Sequence, residues 1–578
     1  MGKVEKSAAF FVGIFLILCL IASYFPERRL WGINHLSYFS PILSWIIILG
    51  ALLILIPQIN SQLAKASTKL YRSFKDKTRR INIQWKDLFF VSVSFVIFWL
   101  FKTKTHFLGD GYLRAREIGS GLKFKPTEPL DYYLHSLAYK LTHNLWGWDA
   151  HTTYAFISCL AGAVFVYSLL LLGRLLSENK TERLFIFIGL ITMGTTQLFF
   201  GYVESYTLSY LGVFLYITFS ISYLKGKSPL FIPTLFLLLS FGLHFSSLYF
   251  LPSLAYLYMA GLKKEEKHIT SKKILHYFII GLVVLLVSFY MYPRFVLQKG
   301  EGTLGSFFLP LFGASGQAYT LFSVSHIIDF LNEQLLLSPV GLVIWGILIS
   351  VFVQQMNFKH PLEIFLGVIG LTSFAFAFIL DPKLGYAKDW DLFASTGLGY
   401  TLLGICFLLK LLKGFKNWSY LIMILVFTAL ATTLPFVGVN SSVDKSIARF
   451  NNLLDLYPQK NAYGHENLAI YYREQGDNEK EIDELRKSIA VEKTSRRLNQ
   501  LAAALCETGL YEEGIKYFRA GIQQDPNYYV LYRNLAIAYV RMGKNKEAAE
   551  ELELYLKHNP RAKDFWSIRS LIDDLKNR

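Results

Sequence analysis

Over the first three quarters of the chain, apolar residues fall in long runs separated by short polar stretches. A helix needs about 20 predominantly apolar residues to cross the hydrocarbon core of a bilayer. On that ruler thirteen segments qualify, near 8–24, 41–57, 87–101, 152–172, 184–200, 206–224, 229–243, 246–261, 274–292, 335–354, 362–380, 392–412 and 418–437. With the N-terminus inside, loops such as KASTKLYRSFKDKTRRINIQWK, KKEEKHITSKK and KGFKN alternate to the cytoplasmic side, and they are short and basic. The opposite loops, among them 25–40, 102–151, GYVES, 293–334 and DPKLGYAKDWD, are sparser in Lys and Arg and hold most acids outside the tail. That asymmetry is what orientation by positive loops requires. It predicts a cytoplasmic (inner) membrane protein whose tail lies on the external, periplasmic side. The first run, AAFFVGIFLILCLIASY behind Lys3 and Lys6, has no small-residue cleavage site and reads as a retained anchor rather than a signal peptide.

From about residue 440 the pattern turns charged, helical and repetitive. Gly509 and Gly543 stand 34 residues apart, as do Pro526 and Pro560. In the same frame Leu501 pairs with Leu535, Ala502 with Ala536, Phe518 with Leu552 and Gly521 with Tyr555. This is the period of the tetratricopeptide helix–turn–helix. ENLAIYYREQGDNEKEIDELRKSI reads as a third copy, and SIARFNNLLDLYPQ as a preceding half-repeat. The predicted fold is therefore all-α: a polytopic helical membrane bundle over 1–439 and a tetratricopeptide α-solenoid over 440–578. Such an array offers a groove for a protein partner, or else serves as a packing domain that covers the membrane part.

Composition narrows the class. Of 578 residues 53% are hydrophobic and 16% aromatic, too apolar for a soluble chain of this size. The net charge of +17 sits largely in loops between apolar runs, so it does not point to nucleic acid. Cys19, Cys159, Cys406 and Cys506 form neither a disulfide framework nor a CxxC site.

Ionisable residues gather at the external ends of the spans. Asp110 follows an apolar run inside FLGDGYLRAREIG, with Arg114 and Arg116 behind it. Next comes LDYYLHSLAYKL, which places Leu130, Leu134, Leu137 and Leu141 on one stripe of a helix lying in the interface. Such a helix holds a loop acid close to the bilayer surface, where a lipid-borne substrate arrives. Glu204, alone in its tight membrane-edge turn, is either used in chemistry or caps the next helix. His244 is either a satisfied interfacial histidine or a catalytic or substrate-binding one. In LDPKLGYAKDWDLFA, Asp389 and Asp391 can chelate a divalent cation such as Mg or Mn, while Lys383 and Lys388 suit phosphate and Trp390 lies between the acids. The plainer reading is a charged loop with Asp391 as helix cap.

Asp110, EPLDYYL (Glu128–Leu134), GYVESY and LHFSSLYFLP, covering about residues 87–262, resemble the GT-C glycosyltransferases, polytopic enzymes that use polyprenyl-phosphate sugars and include protein O-mannosyltransferases. The resemblance implies that Asp110 is the base that activates an acceptor hydroxyl and Glu204 a second site acid. The DPKLGYAKDWDLF block has no assigned counterpart in that family, and Asp131 replaces the usual uncharged residue after Pro-Leu. The leaving lipid phosphate calls for cations, for which Arg114, Arg116, Arg294, Lys383 and Lys388 are candidates. The expected activity is inverting transfer of a sugar to a protein or glycan hydroxyl. Two rival readings are a polysaccharide polymerase or ligase and a non-enzymatic transporter or assembly factor. A transporter predicts ionisable residues at mid-membrane, where the predicted spans hold almost none.

A cysteine placed at position 125, and one in the tail, should react with an impermeant maleimide in intact cells. Reaction only after lysis would reverse the orientation.

Overall fold

The computed structural model describes residues 2–77, 83–264, 307–312 and 319–577. Among them the protein is all-helical, with one isolated bridge between Phe308 and Leu380. The chain divides into two units, Met1–Leu453 and Leu454–Arg578.

The first unit opens with α1 (Lys3–Ser23), α2 (Pro41–Leu53), α3 (Pro57–Lys77) and α4 (Ile83–Leu100). Two shorter helices follow, α5 (Gly111–Gly119) and α6 (Pro129–Trp146), then α7 (Ala150–Leu176), α8 (Lys180–Ile191), α9 (Tyr206–Leu224), α10 (Phe231–Leu243) and α11 (Leu251–Lys264). The unit closes with α12 (Val324–Leu337), α13 (Pro339–Phe352), α14 (Pro361–Ile379), α15 (Thr396–Leu411), α16 (Trp418–Ala431), α17 (Thr433–Asn440) and most of α18 (Val443–Asp455).

Local chemistry sets several of these boundaries. Ser40 caps α2 by accepting from Leu43 N, and Asp149 caps α7 by accepting from Thr152 N. His360 and Glu363 form a capping box around Pro361, which occupies the position where a missing N–H costs nothing. At the other end of α6, Gly147 takes a left-handed φ of 68° and stops the helix. Inside the bundle α7 packs on α4, α8 and α9, and α14 packs on α15. The second pair crosses closely, because a Cβ on Gly399 would stand 2.7 Å from the backbone N of Gly370. Small residues at such a crossing let two apolar helices make dispersion contacts that larger ones would block.

Five helical segments are long and apolar enough to cross a membrane, Lys3–Ser23, Ala150–Leu176, Tyr206–Leu224, Pro361–Ile379 and Trp418–Asn440, and two sharply bent pairs raise this to seven among the described residues. The thirteen expected spans are not all present as such, and the reason is local. The segment at 41–57 bends by 96° ahead of Pro57, and that at 335–354 bends by 99° at Ser338–Pro339. The 184–200 run stops at Thr192 and continues as a 3-10 turn, Gly194–Phe199. The runs at 246–261 and 392–412 likewise begin in 3-10 turns, Phe245–Phe250 and Trp390–Phe393. Hydropathy registers apolar length but not these breaks. The expected span at 274–292 lies outside the described residues.

Helix α6 has an inverted amphipathic pattern. Asp131, Tyr132, His135, Ser136 and Thr142 face inward and are buried. Leu137, Leu141, Leu145 and Trp146 are each more than half exposed. An apolar face turned outward is unfavourable in water and suited to a membrane interface.

The second unit stacks α19 (Ala462–Glu474), α20 (Asn478–Val491), α21 (Ser495–Glu507), α22 (Tyr511–Gln524), α23 (Val530–Arg541), α24 (Asn545–His558) and α25 (Phe565–Asn577). Gly476, Gly509 and Gly543 each follow the first helix of a pair with φ of 73°, 86° and 74°. The residues matched by the 34-residue frame are buried: Leu501 and Leu535, Ala502 and Ala536, Phe518 and Leu552. Neighbouring repeats are tied by polar contacts as well, such as Asn534 Nδ2 donating to Asn499 Oδ1 at 2.9 Å.

The turn at Gly194 makes a sharp test of the packing. A Cβ there would stand 2.0 Å from the carbonyl oxygen of Leu336, whereas one on Gly50 would meet nothing within 4 Å. Gly194→Ala should therefore cost about 1–3 kcal/mol, the usual range for overpacking. Gly50→Ala should be neutral or mildly stabilising. Thermal unfolding of the two variants in detergent checks this, and equal midpoints would refute the close approach.

Candidate active site

Three loops are sewn together at one end of the first unit. The segment that leaves α4 is pinned to the 200–205 turn by Thr103, whose N and Oγ1 both donate to Phe200 O at 2.8 and 2.9 Å. Lys104 N donates to Asn440 O at 3.0 Å, and Gly109 N donates to Lys388 O at 2.9 Å. Phe107 stacks on Phe450 of α18 with centroids 5.0 Å apart. These contacts determine where Asp110 emerges.

Both glycines beside Asp110 are required by space. Gly109 has a left-handed φ of 69°, and a Cβ there would lie 2.6 Å from Glu204 Oε1 and 3.0 Å from Asp391 Oδ2. A Cβ on Gly111 would meet His106 Cβ at 2.8 Å and Val203 O at 3.0 Å. The chain passes there because no side chain occupies the gap, and two carboxylates converge on it.

Arg114 on α5 organises the acids. Its guanidinium pairs with Glu128, with Glu204 (Nε to Oε2, 2.5 Å) and with Asp131 (Nη1 to Oδ2, 3.5 Å). Glu204 Oε1 in turn accepts from the backbone N–H of Asp110. Asp131 also contacts His135 at 3.2 Å, and the His135 ring stacks on Tyr154 with centroids 3.7 Å apart. On the opposite side Tyr202 donates its hydroxyl to Asp391 Oδ2 at 3.1 Å. Arg114, Glu128, Asp131, Glu204 and Asp391 are all buried, whereas Asp110 is half-buried.

Burial and mutual repulsion separate these carboxyls electrostatically. Burial is the largest influence on Glu204 and, with the Asp110 and Glu128 carboxylates, pushes it up to about 8 despite Arg114. Burial, then Glu204 and Asp389, push Asp391 well above the carboxylate range. Burial also raises Glu128, but Arg114, His244 and Lys125 outweigh it and hold the group at about 2. His244 is held down to about 4, chiefly by burial, and is therefore neutral at pH 7.

The other expected site residues are dispersed. Arg116 is exposed, while Arg114 is occupied by carboxylates. Lys383 is exposed and pairs with Asp381 at 3.1 Å. Lys388 is buried, and its carbonyl holds Gly109. Trp390 is fully buried and packs edge-on against Tyr202 and Phe436, so it acts as a wall. His244 Nδ1 accepts from Ser246 N at 3.1 Å, and its ring lies 4.5 Å from that of Tyr206. Arg294 lies outside the described residues. Asp389 Oδ2 accepts from Leu384 N at 2.8 Å, and Asp391 Oδ2 accepts from the Tyr202 hydroxyl at 3.1 Å. No cluster of three His, Cys, Asp or Glu side chains suited to a metal ion occurs among the described residues.

Sequence reasoning passed over Glu128, Asp131 and Tyr202 as site groups, although the first two stand in EPLDYYL and the third in GYVESY. It also missed Arg449, which is 2% exposed with Nε and Nη2 unbonded and which borders a small cleft with Thr103, Thr105 and Ser446. That cleft, of about 10 Å³, has room for roughly one water.

Comparison with known proteins bears on the second unit. Residues 505–572 match the tetratricopeptide repeat family. The tail carries tetratricopeptide repeats. The chain is 41% identical over 56 residues to the Hsp70-Hsp90 organising protein of Plasmodium falciparum, covering 10% of this chain and 22% of that protein's length. Among solved structures it is similar to PilF of Pseudomonas aeruginosa at 24% identity, covering 23% of this chain and 59% of that one, with a TM-score of 0.20. It is also similar to YrrB, described as a tetratricopeptide protein with an unusual peptide-binding site, at 16% identity, covering 30% of this chain and 88% of that one, again with a TM-score of 0.20.

The raised Glu204 carboxyl has a measurable consequence. Its folded value of about 8 exceeds the unfolded one of about 4.3, so the folded state binds more protons between them. Its contribution to stability is therefore present below about pH 4 and is lost as pH rises towards 8. In Glu204→Gln the unfolding midpoint should fall less steeply between pH 5 and 8 than in wild type. Parallel slopes would show that Glu204 does not hold this proton.

Proposed function

We propose that the first unit is a membrane glycosyltransferase that moves a sugar from a polyprenyl-phosphate donor to an acceptor hydroxyl, with the site on the external side. One observation carries the reading: Asp110 stands half-exposed beside a buried carboxylate cluster, near a helix whose apolar face points outward. The Asp110 carboxylate takes the proton of the acceptor hydroxyl. The acceptor oxygen attacks the anomeric carbon, the bond from that carbon to the phosphate oxygen breaks, and the electron pair leaves on the lipid phosphate with inversion. Glu204 holds the Asp110 backbone through its N–H, and Arg114 fixes Glu204, so both are positioning residues. Lys388 and Lys383 are the cations of the neighbouring loop that would offset the departing phosphate. The repeats would hold a protein acceptor or an assembly partner.

The tetratricopeptide match favours a second reading, in which the chain is a membrane-bound assembly factor without its own chemistry. One assay separates the two. Purified protein in detergent is incubated with candidate lipid-phosphate sugars and an acceptor, and products are read by mass. Transfer should occur, and Asp110→Asn should lower its rate by about 10²–10⁴-fold, the usual general-base contribution, with the unfolding midpoint unchanged. Undiminished turnover in Asp110→Asn would remove Asp110 from the mechanism, and no transfer with any donor would favour the assembly reading.

A further inference from the structure

Away from the carboxylates, α5, its following turn and α6 flank an open cavity of about 350 Å³, a size typical of small-ligand sites. Arg114 faces the acids, whereas Ile118 and Gly119 at the far end of the same helix line this cavity. Its lining holds two cations, Lys123 and Lys140, with His143 beside them and without a single Asp or Glu. Lys123 and Lys140 make no ion pair among the described residues. Tyr133 and Tyr139 complete the wall and supply hydroxyls.

An exposed apolar stripe starts at its edge. Leu137 lines it and is 56% exposed. Leu141 and Leu145 follow at helical spacing along α6, exposed to 58% and 61%. A cationic cavity at the head of an outward apolar stripe matches an amphiphile with an anionic head and hydrocarbon tails. A soluble anion would leave the stripe unused, and a neutral lipid would leave two lysines uncompensated.

We propose that this cavity binds the phosphate headgroup of an anionic membrane lipid, with Lys123 and Lys140 pairing its phosphate oxygens and its acyl chains lying along Leu137, Leu141 and Leu145. The inference rests on the membrane reading of the first unit and is independent of glycosyl transfer.

The test uses the full chain in a neutral detergent. Recovery of the protein from cells without detergent would overturn the membrane reading itself, before any lipid is added. Thermal unfolding is then followed with phosphatidylglycerol, with phosphatidylcholine and with inorganic phosphate, and native mass spectrometry counts retained lipid. Phosphatidylglycerol should raise the midpoint by a few degrees and persist as an adduct, as a ligand of the folded state must. The double variant K123Q/K140Q changes two exposed side chains, so its midpoint without lipid should match wild type while most of the lipid effect disappears. An equal shift with phosphatidylcholine, an equal shift with phosphate alone, or an undiminished response in the double variant would each overturn the proposal.

Discussion

Arg114 carries a full charge to a place that is 3% exposed, where Glu128, Glu204 and Asp131 surround it in place of water. Stripping a guanidinium and carboxylates of solvent costs several kcal/mol per ion, and only close pairing offsets it. Such an arrangement tolerates little displacement. Loss of one partner leaves another charge buried and uncompensated, which costs about 3–5 kcal/mol. The loop carrying Asp110, the 200–205 turn and the start of α6 are thereby held to one another through α5. The rest of this end of the first unit depends on this anchor, including the glycine gap on which Glu204 and Asp391 converge.

Much of this architecture could be read from residue order. The repeat array was legible because its 34-residue period is a one-dimensional signal, and the residues in that frame are the buried ones. Asp110 and Glu204 stood out as lone acids beside apolar runs, and the structure joins them through the Asp110 N–H. The span count was poorly legible. Mean hydropathy does not register a bend at Ser338–Pro339 or a switch to 3-10 geometry after Thr192. Asp389 and Asp391 illustrate a second limit. Their i, i+2 spacing suggested a shared cation but not the hydrogen bonds each acid makes beside the 3-10 turn at Trp390–Phe393, one from Leu384 N and the other from Tyr202. Partners remote in sequence, such as Tyr202 for Asp391, carry no local pattern at all.

The two units also differ in how they achieve stability. In the tail, buried small residues meet aromatics at a fixed offset, and each repeat leans on its neighbours. In the first unit, the apolar helices pack through glycines and single polar contacts, as at Gly399 with Gly370 and Ser338 with Thr401. The first mode accepts many sequences that keep the period. The second is specific to individual atoms, which is why its functional groups carry no repeat signature.

The stitching of these loops has a consequence for the order of biosynthesis. Asp110 meets Glu204 across 94 residues of sequence, and Tyr202 meets Asp391 across 189. A ribosome adds residues at about 5–20 per second, so the early loop exists for many seconds before its later partners emerge. Throughout that interval Gly109 has no Lys388 carbonyl to bond and Phe107 has no Phe450 to stack on. The acid is therefore set in place only when the last helices of the first unit arrive. A nascent or truncated chain therefore lacks the assembled carboxylate cluster until synthesis of that unit is complete.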